Sequence, residues 1–283
     1  MSLIRTMFVL TVFVIATIIG IPAQWISLKL GLPARRWIPC LYHRLCLWLL
    51  DVRVEVRGAI AIERPLLLVV NHSSWLDHLI LSSRLPLMFI AKSEIASWPV
   101  FGLLAKLQRS VFVDRTRRQA TGDVNREIAS RLTSGDPVVL YGEGTTGDGN
   151  FVLPFRSALL GAMRETMGEG ERGYLQPVSI AYTHLQGLPM GRQHRPVAAW
   201  HGNVDLLKHI SRVLRIGAID AVVTLGAPVA VQPNLDRKLI AKELERSVKR
   251  MTTAARLGRK EIASLPNALV AETGPVPLTR KTR

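Results

Sequence analysis

Thiols are scarce in this sequence: of 283 residues only Cys40 and Cys46 are cysteines. They lie six apart in an apolar stretch without metal-ligand spacing. They read as buried free thiols in a reducing compartment, not as a disulfide framework. Aromatic residues make up only 6% of the chain, and no basic-aromatic run forms a base-stacking platform. Zinc-finger, RNP-like and glycine-rich nucleotide patterns are missing too, so nucleic acid is not an expected partner. Acidic residues are outnumbered, with 21 Asp and Glu against 37 Lys and Arg, giving a formal charge of +16 and a pI near 10.8. No G-x-S-x-G turn supplies a serine nucleophile, and there is no internal repeat or low-complexity tract.

Apolar residues are plentiful, at 48% of the chain with a mean hydropathy of +0.21. A chain both apolar and basic suits an anionic lipid surface. From Thr6 to Leu28 no residue is charged, which is enough to cross a bilayer that needs about 20 residues. Arg5 precedes this stretch, and Lys29, Arg35 and Arg36 follow it. The heavier basic cluster on the C-terminal side places the main domain in the cytoplasm. A signal peptide is the rival reading, but Ile21-Pro22-Ala23-Gln24 is a poor cleavage site. Gly20 and Pro22 leave a re-entrant helix open. The next apolar stretch, Trp37 to Leu50, is too short to span. With Trp37, Tyr42, Trp48, Arg36 and Arg44 it suits either the headgroup boundary or an ordinary core helix. Residues 1–50 are therefore expected to form membrane-associated helices.

The pattern changes at residue 52. Val52, Val54 and Val56 alternate with Arg53, Glu55 and Arg57, as in a strand with one buried face. Short apolar runs recur at Leu66–Val70, Met88–Ala91, Val111–Val113, Val138–Tyr141, Val178–Ala181 and Ala221–Leu225. Helix-like segments fall between several of them: Leu76–Ser83, Trp98–Leu107, Asp123–Leu132, Ser157–Met167 and Val204–Leu214. This alternation predicts an α/β fold over 51–263, with a mixed, mainly parallel sheet flanked by helices. Asp236–Arg256 reads as a long charged helix. Residues 264–283, with Pro266, Pro275 and Pro277, read as a flexible tail.

Three strand ends carry polar clusters. Leu66–Val70 runs into Asn71-His72-Ser73-Ser74-Trp75-Leu76-Asp77-His78. His72 falls in the turn at the strand's carboxyl end, where open α/β sheets place their chemistry, and Asp77 falls in the first helical turn. Folded together, Asp77 accepts from Nδ1 and leaves Nε2 as a base. A structural reading competes: Ser74-x-x-Asp77 approximates a capping box. A metal site built from His72, Asp77 and His78 is a third reading, but no second ligand cluster supports it. The strand Val138–Leu140 leads into Tyr141-Gly142-Glu143-Gly144-Thr145-Thr146-Gly147-Asp148-Gly149-Asn150, whose glycines expose amides suited to an anion. Val111–Val113 exits into Asp114-Arg115, and Arg115 suits an anionic group. A His–Asp pair without a nucleophile suggests that the substrate brings the hydroxyl.

These clusters carry a resemblance. "NHSSWLD" resembles the His, four residues, Asp block of the glycerolipid acyltransferases. "VFVDR", "EGT" and "LQPVSIAY" (175–182) resemble that family's later blocks, in the family's order. The resemblance implies that His72 takes the proton of a lysolipid hydroxyl, with Asp77 holding the imidazole. The freed oxygen then attacks the thioester of acyl-ACP or acyl-CoA, without cofactor or metal. It assigns Glu143, Gly144, Thr145 and Thr146 to the acceptor site and Arg115 to an anionic group. The family's third block usually continues with an Arg that binds acceptor phosphate, and here Thr146 replaces it. The stretches "EGTTGDGNFVLPFRSALLGA" and "QPVSIAYTHLQGLP" resemble the bacterial branch that acylates lyso-ornithine lipid, an acceptor with an amine and a carboxylate. Lysophosphatidic acid is the alternative acceptor, and the inner membrane is the expected location. Outside this class stands a non-enzymatic basic protein that adheres to lipid or nucleic acid.

Overall fold

The computed structural model describes residues 3–113, 120–160, 163, 172–232 and 236–259. The stretch 264–283 lies outside them. Two helices open the chain, α1 (Leu3–Lys29) and α2 (Ala34–Leu49). Helix α1 is long and apolar enough to cross a membrane, with an 18-residue stretch of mean hydropathy 2.3 inside Ile4–Lys29. It runs through Gly20 and Pro22 without a break. Ile4, Met7, Phe8, Val14, Ile15, Ile18 and Ile19 are all exposed along it. Helix α2 is two-faced: Cys40, His43, Cys46, Leu47 and Leu49 are buried, whereas Trp37, Leu41 and Trp48 are exposed. One face of α2 is therefore an ordinary core helix, and the other leaves its aromatic residues outside the core. The two thiols are free and buried, as expected.

The body is a mixed sheet. Its strands are β1 (Val52–Arg57), β2 (Leu66–Val70), β3 (Met88–Lys92), β4 (Val111–Val113), β5 (Val138–Tyr141), β6 (Gly173–Leu185), β7 (Leu188–Pro189), β8 (Ile219–Leu225) and β9 (Val229–Val231). The order across the sheet is β1-β8-β6-β2-β5-β3-β4, with β7 and β9 also paired to β6. The block from β6 through β2, β5 and β3 to β4 is parallel. Strand β8 turns antiparallel to β6 and pairs parallel with β1. Around the sheet lie α3 (Leu76–Ser82), α4 (Phe101–Leu107), α5 (Ala120–Thr133), α6 (Arg195–Ala198), α7 (Leu206–Ile216) and α8 (Arg237–Arg256).

Strand β2 is buried on both faces, which explains its unbroken aliphatic run. Leu66, Leu68 and Val70 meet Leu76 and Ile80 of α3 on one side. Leu67 and Val69 share the other side with Ile128 and Leu132 of α5 and with Ile240 and Leu244 of α8. The expected one-sided burial of β1 holds only at its start: Val52 is buried, but Val56 is 42% exposed, because β1 lies at the sheet's edge. The helix expected over Ser157–Met167 begins as a 3₁₀ turn, Ser157–Leu160, and most of its remainder lies outside the described residues.

Strand β6 departs most from expectation, at thirteen residues where the apolar run covers four. Its extra length includes Gln176, fully buried. The Gln176 Oε1 accepts from the Ala61 amide at 3.0 Å, and its Nε2 donates to the carbonyls of Ala59 and Gly226 at 2.8 Å. One side chain thus ties two loops to the central strand. Gln176→Ala leaves two buried backbone groups, of Ala61 and Gly226, and the partly buried Ala59 carbonyl unpaired. It should cost about 2–4 kcal/mol, lowering the melting temperature by roughly 5–15 °C for a chain of this size. Thermal unfolding in detergent, followed by circular dichroism, measures the change.

Candidate active site

Register brings the site together. Val70 is opposite both Tyr141 of β5 and Val178 of β6. The carboxyl ends of β2 and β5 therefore lie side by side, and the longer β6 runs on past them. Asn71, the first residue beyond β2, uses its side chain in place of a ladder. Its Nδ2 donates to the Ile180 carbonyl at 2.9 Å, and its Oδ1 accepts from the Ile180 amide at 2.8 Å. The backbone is then free to turn away from β6 without orphaning that strand's polar groups.

Asp77 organises the turn that follows. It is 0% exposed, and its carboxylate takes four donors. Oδ2 accepts from the amides of Ser73 (2.8 Å) and Ser74 (2.9 Å) and lies 2.9 Å from His72 Nδ1. Oδ1 accepts from the Tyr182 hydroxyl at 2.6 Å. Burial and the adjacent Asp77 charge push the Tyr182 phenol well above its ordinary pKa, so it stays a donor. Asp77 supplies only its half of the expected capping box, accepting from the Ser74 amide, and holds the His72 ring with the same oxygen. No serine side chain caps α3; its N-cap residue is Trp75, and the Ser74 hydroxyl accepts weakly from the Leu76 amide at 3.3 Å.

The His72 side chain is 19% exposed, and its ring stacks on Tyr141 with centroids 3.8 Å apart and planes 14° from parallel. A carboxylate at Nδ1 fixes that nitrogen as the donor and leaves Nε2 with its lone pair. His78 takes no part in this pair. Its Nε2 lies 2.7 Å from Gln108 Oε1, and its ring packs on Phe89. Among the described residues no three His, Cys, Asp or Glu side chains converge as metal ligands.

The second loop clasps the first. The Gly142 amide donates to the Val70 carbonyl (2.9 Å), the His72 amide to Glu143 Oε1 (3.0 Å), and the Gly147 amide to the His72 carbonyl (2.9 Å). Glu143 and Gly147 thus hold His72 from both of its backbone ends. Gly142 admits no side chain, since a Cβ there would sit 2.7 Å from the Phe155 ring. Gly144 has a positive φ of 69° and is half-buried. Thr145 is exposed and Thr146 half-buried beside it. Arg115 lies outside the described residues. Tyr182, Tyr141 and Asn71 were not among the expected site residues, although Tyr182 closes the "VSIAY" run. The apolar character of that run masks its reach to Asp77, 105 positions earlier.

An acyltransferase family model matches residues 52–181, which contain both loops. The chain is 44% identical over 259 residues to the lyso-ornithine lipid O-acyltransferase of Brucella abortus, covering 91% of this chain and 97% of that one. The chain belongs to the acyltransferase family. As an acyltransferase it is an enzyme that moves acyl groups. It is also 42% identical over 253 residues to the lyso-ornithine lipid O-acyltransferase of Rhizobium meliloti, covering 89% of this chain and 87% of that one. The acyltransferase fold is shared with the crystal structure of the 1-acyl-sn-glycerophosphate (LPA) acyltransferase PlsC from Thermotoga maritima. There the TM-score is 0.63 with 22% identity, over 90% of this chain and 98% of that one.

Glu143 gives this acyltransferase a pH signature. Burial pushes its carboxyl up from 4.5 to about 8; the amides of His72 and Leu153 offset only part of that rise. A carboxyl raised on folding holds an extra proton in the folded state. Its contribution to stability is complete below pH 4.5 and is lost as pH climbs through about 8. Glu143→Gln keeps an acceptor for the His72 amide and removes the titration. Melting temperatures across pH 4.5–8 should fall more steeply in the parent protein than in the variant.

Proposed function

We propose that this enzyme moves a fatty acyl group from an acyl thioester to the hydroxyl of lyso-ornithine lipid at a membrane surface. The observation that carries the mechanism is the 2.9 Å contact between His72 Nδ1 and Asp77 Oδ2. His72 Nε2 takes the proton of the acceptor hydroxyl as that oxygen attacks the thioester carbon. Asp77 stabilises the imidazolium that forms. The imidazolium returns its proton to the departing thiolate, and the C–S bond breaks as the ester C–O bond completes. The acceptor is its own nucleophile, so no acyl-enzyme is required.

The acceptor assignment draws on the relatives' names and on the site loop. Gly142–Asn150 carries no basic residue, and beside the buried Glu143 carboxyl it presents one ionised carboxylate, Asp148. This matches a headgroup with an ammonium better than a phosphate monoester. Within it, burial pushes the Asp148 carboxyl up, but hydrogen bonds from Asn150 and Phe151 outweigh that and hold it below its ordinary pKa. An ionised Asp148 suits the headgroup amine, with Glu143, Gly144, Thr145 and Thr146 forming the wall around it and Arg115 serving an anionic group. The exposed apolar residues of α1, α2 and α4, Phe101 and Leu103 among them, support a site at the bilayer, where a lysolipid resides. The basic residues after α1 support a catalytic body on the cytoplasmic side of the inner membrane. The positive charge suits an acidic acyl carrier protein as donor, with acyl-CoA as the other candidate.

Two measurements test this reading. Given one acyl donor, the purified protein should acylate lyso-ornithine lipid in preference to lysophosphatidic acid, and the reverse preference overturns the acceptor assignment. His72→Ala should lower turnover by about 10²–10⁴-fold while sedimentation with membranes is unchanged. Asp77→Asn should fall comparably, because an amide does not stabilise the imidazolium. Near-parent turnover in either variant rejects the mechanism.

A further inference from the structure

The loop Gly142–Asn150 carries no Lys or Arg, yet a lyso-ornithine headgroup brings a carboxylate as well as an amine. That carboxylate is a few bonds from the reacting hydroxyl, so its partner must lie close to the same loop. The chain doubles back to supply one. The Arg156 amide donates to the Gly142 carbonyl at 2.8 Å, which closes residues 142–156 into a ring seated on the Phe155 side chain. From that anchor the Arg156 side chain crosses Gly144. A Cβ built on Gly144 would meet Arg156 Cδ at 3.1 Å, Nε at 3.3 Å and Cζ at 3.7 Å. A glycine at 144 therefore does two things: it adopts the φ of +69° and leaves the lane along which the guanidinium lies.

Two further arginines border the far end of the loop, Arg195 against Gly149 and Arg256, which is differently engaged. Arg256 of α8 is spent on backbone, donating to the carbonyls of Asn150 at 2.8 Å and Gly149 at 2.5 Å. It braces the far end of the loop and is half-buried. Arg156 is exposed, and no carboxylate among the described residues forms a salt bridge with it. The wall from His72 to Arg156 is continuous, since Glu143 and Gly147 touch the backbone of His72 and Gly144 between them carries Arg156.

We propose that Arg156 binds the headgroup carboxylate of the acceptor and so sets acceptor specificity. The proposal rests on the reading of lyso-ornithine lipid as acceptor. With the hydroxyl at His72 Nε2, the headgroup lies along residues 143–147, its carboxylate reaching the guanidinium that crosses Gly144. A planar fork pairs with a carboxylate through two N–H donors, which a lysine ammonium does not reproduce.

The test uses the full chain in detergent with two acceptors, lyso-ornithine lipid and its carboxyl methyl ester. Arg156→Gln should raise KM for the free acid by roughly 10- to 100-fold, the range for loss of a charge-assisted pair. Turnover at saturation should stay within about threefold, and KM for the ester should not change. Arg156→Lys should recover part of the loss. An Arg156→Gln that leaves KM for the free acid unchanged overturns the proposal. So does an equal rise for acid and ester, which would mark Arg156 as a loop support only. The parent protein separates the two readings: if it ignores lyso-ornithine lipid and uses lysophosphatidic acid, the acceptor assignment fails and this proposal fails with it. If it uses lyso-ornithine lipid but Arg156→Gln behaves as parent, only the role of Arg156 is lost.

Discussion

A carboxylate with no exposure to water is costly unless its lone pairs are filled, and the site is built around one that is. Asp77 collects two backbone amides, a phenol and an imidazole. Remove any of these and the charge is left partly uncompensated in the protein interior. The spacing of His72 and Asp77 follows from this. Residue 77 is the second residue of α3, so its side chain reaches back over the turn to residues 73 and 74 and still meets the ring of residue 72. A helix start and the His72–Asp77 pair are therefore one arrangement.

The sheet supplies what that turn cannot. Tyr182 reaches Asp77 because β6 continues beyond the point where β2 stops, and Asn71 makes that possible by bonding Ile180 from the side. Tyr141 lies beneath the His72 ring because β5 ends in register with β2. Three neighbouring strands thus act on one imidazole: β2 delivers it, β5 supports its face, and β6 completes the counter-charge behind it. Preorganisation of this kind requires little rearrangement when the ring becomes charged.

How legible this was in the sequence depended on whether the signal was local. Strands β2, β4 and β5 are short apolar runs, largely buried, and their limits can be read directly. Strand β6 reads short because Gln176, Thr183 and His184 interrupt its apolar pattern, although Gln176 is fully buried and satisfied by loop carbonyls and an amide that no local pattern announces. The same divide runs through the site. His72 and Asp77 are five residues apart and stand out. Their partners Tyr141 and Tyr182 are distant in sequence and look like ordinary core aromatics. Glu143 reads as a substrate contact from its glycine-rich setting, yet its Oε1 faces the His72 amide. Its position in the loop was legible, and the direction of its carboxylate was not.

The apolar helices are joined to the chemistry by a short chain of polar contacts. Gln24 of α1, buried, donates to the carbonyl of Leu107 at the end of α4 and to that of Arg35 at the start of α2. The next residue, Gln108, donates to the Ser82 hydroxyl and meets His78 Nε2, and both partners belong to α3. His78 follows Asp77 directly. The helix with the most exposed apolar surface is thus linked, through two glutamines, to the helix that carries the carboxylate behind His72. His43 of α2 packs its ring edge-on against His78 and closes the same joint. Burying polar side chains here costs desolvation that an aliphatic interface would avoid, and what they provide is direction. A greasy contact tolerates sliding, whereas paired amides and imidazoles fix one register between α1, α4 and α3. That register fixes where His72 stands relative to the exposed apolar face of α1.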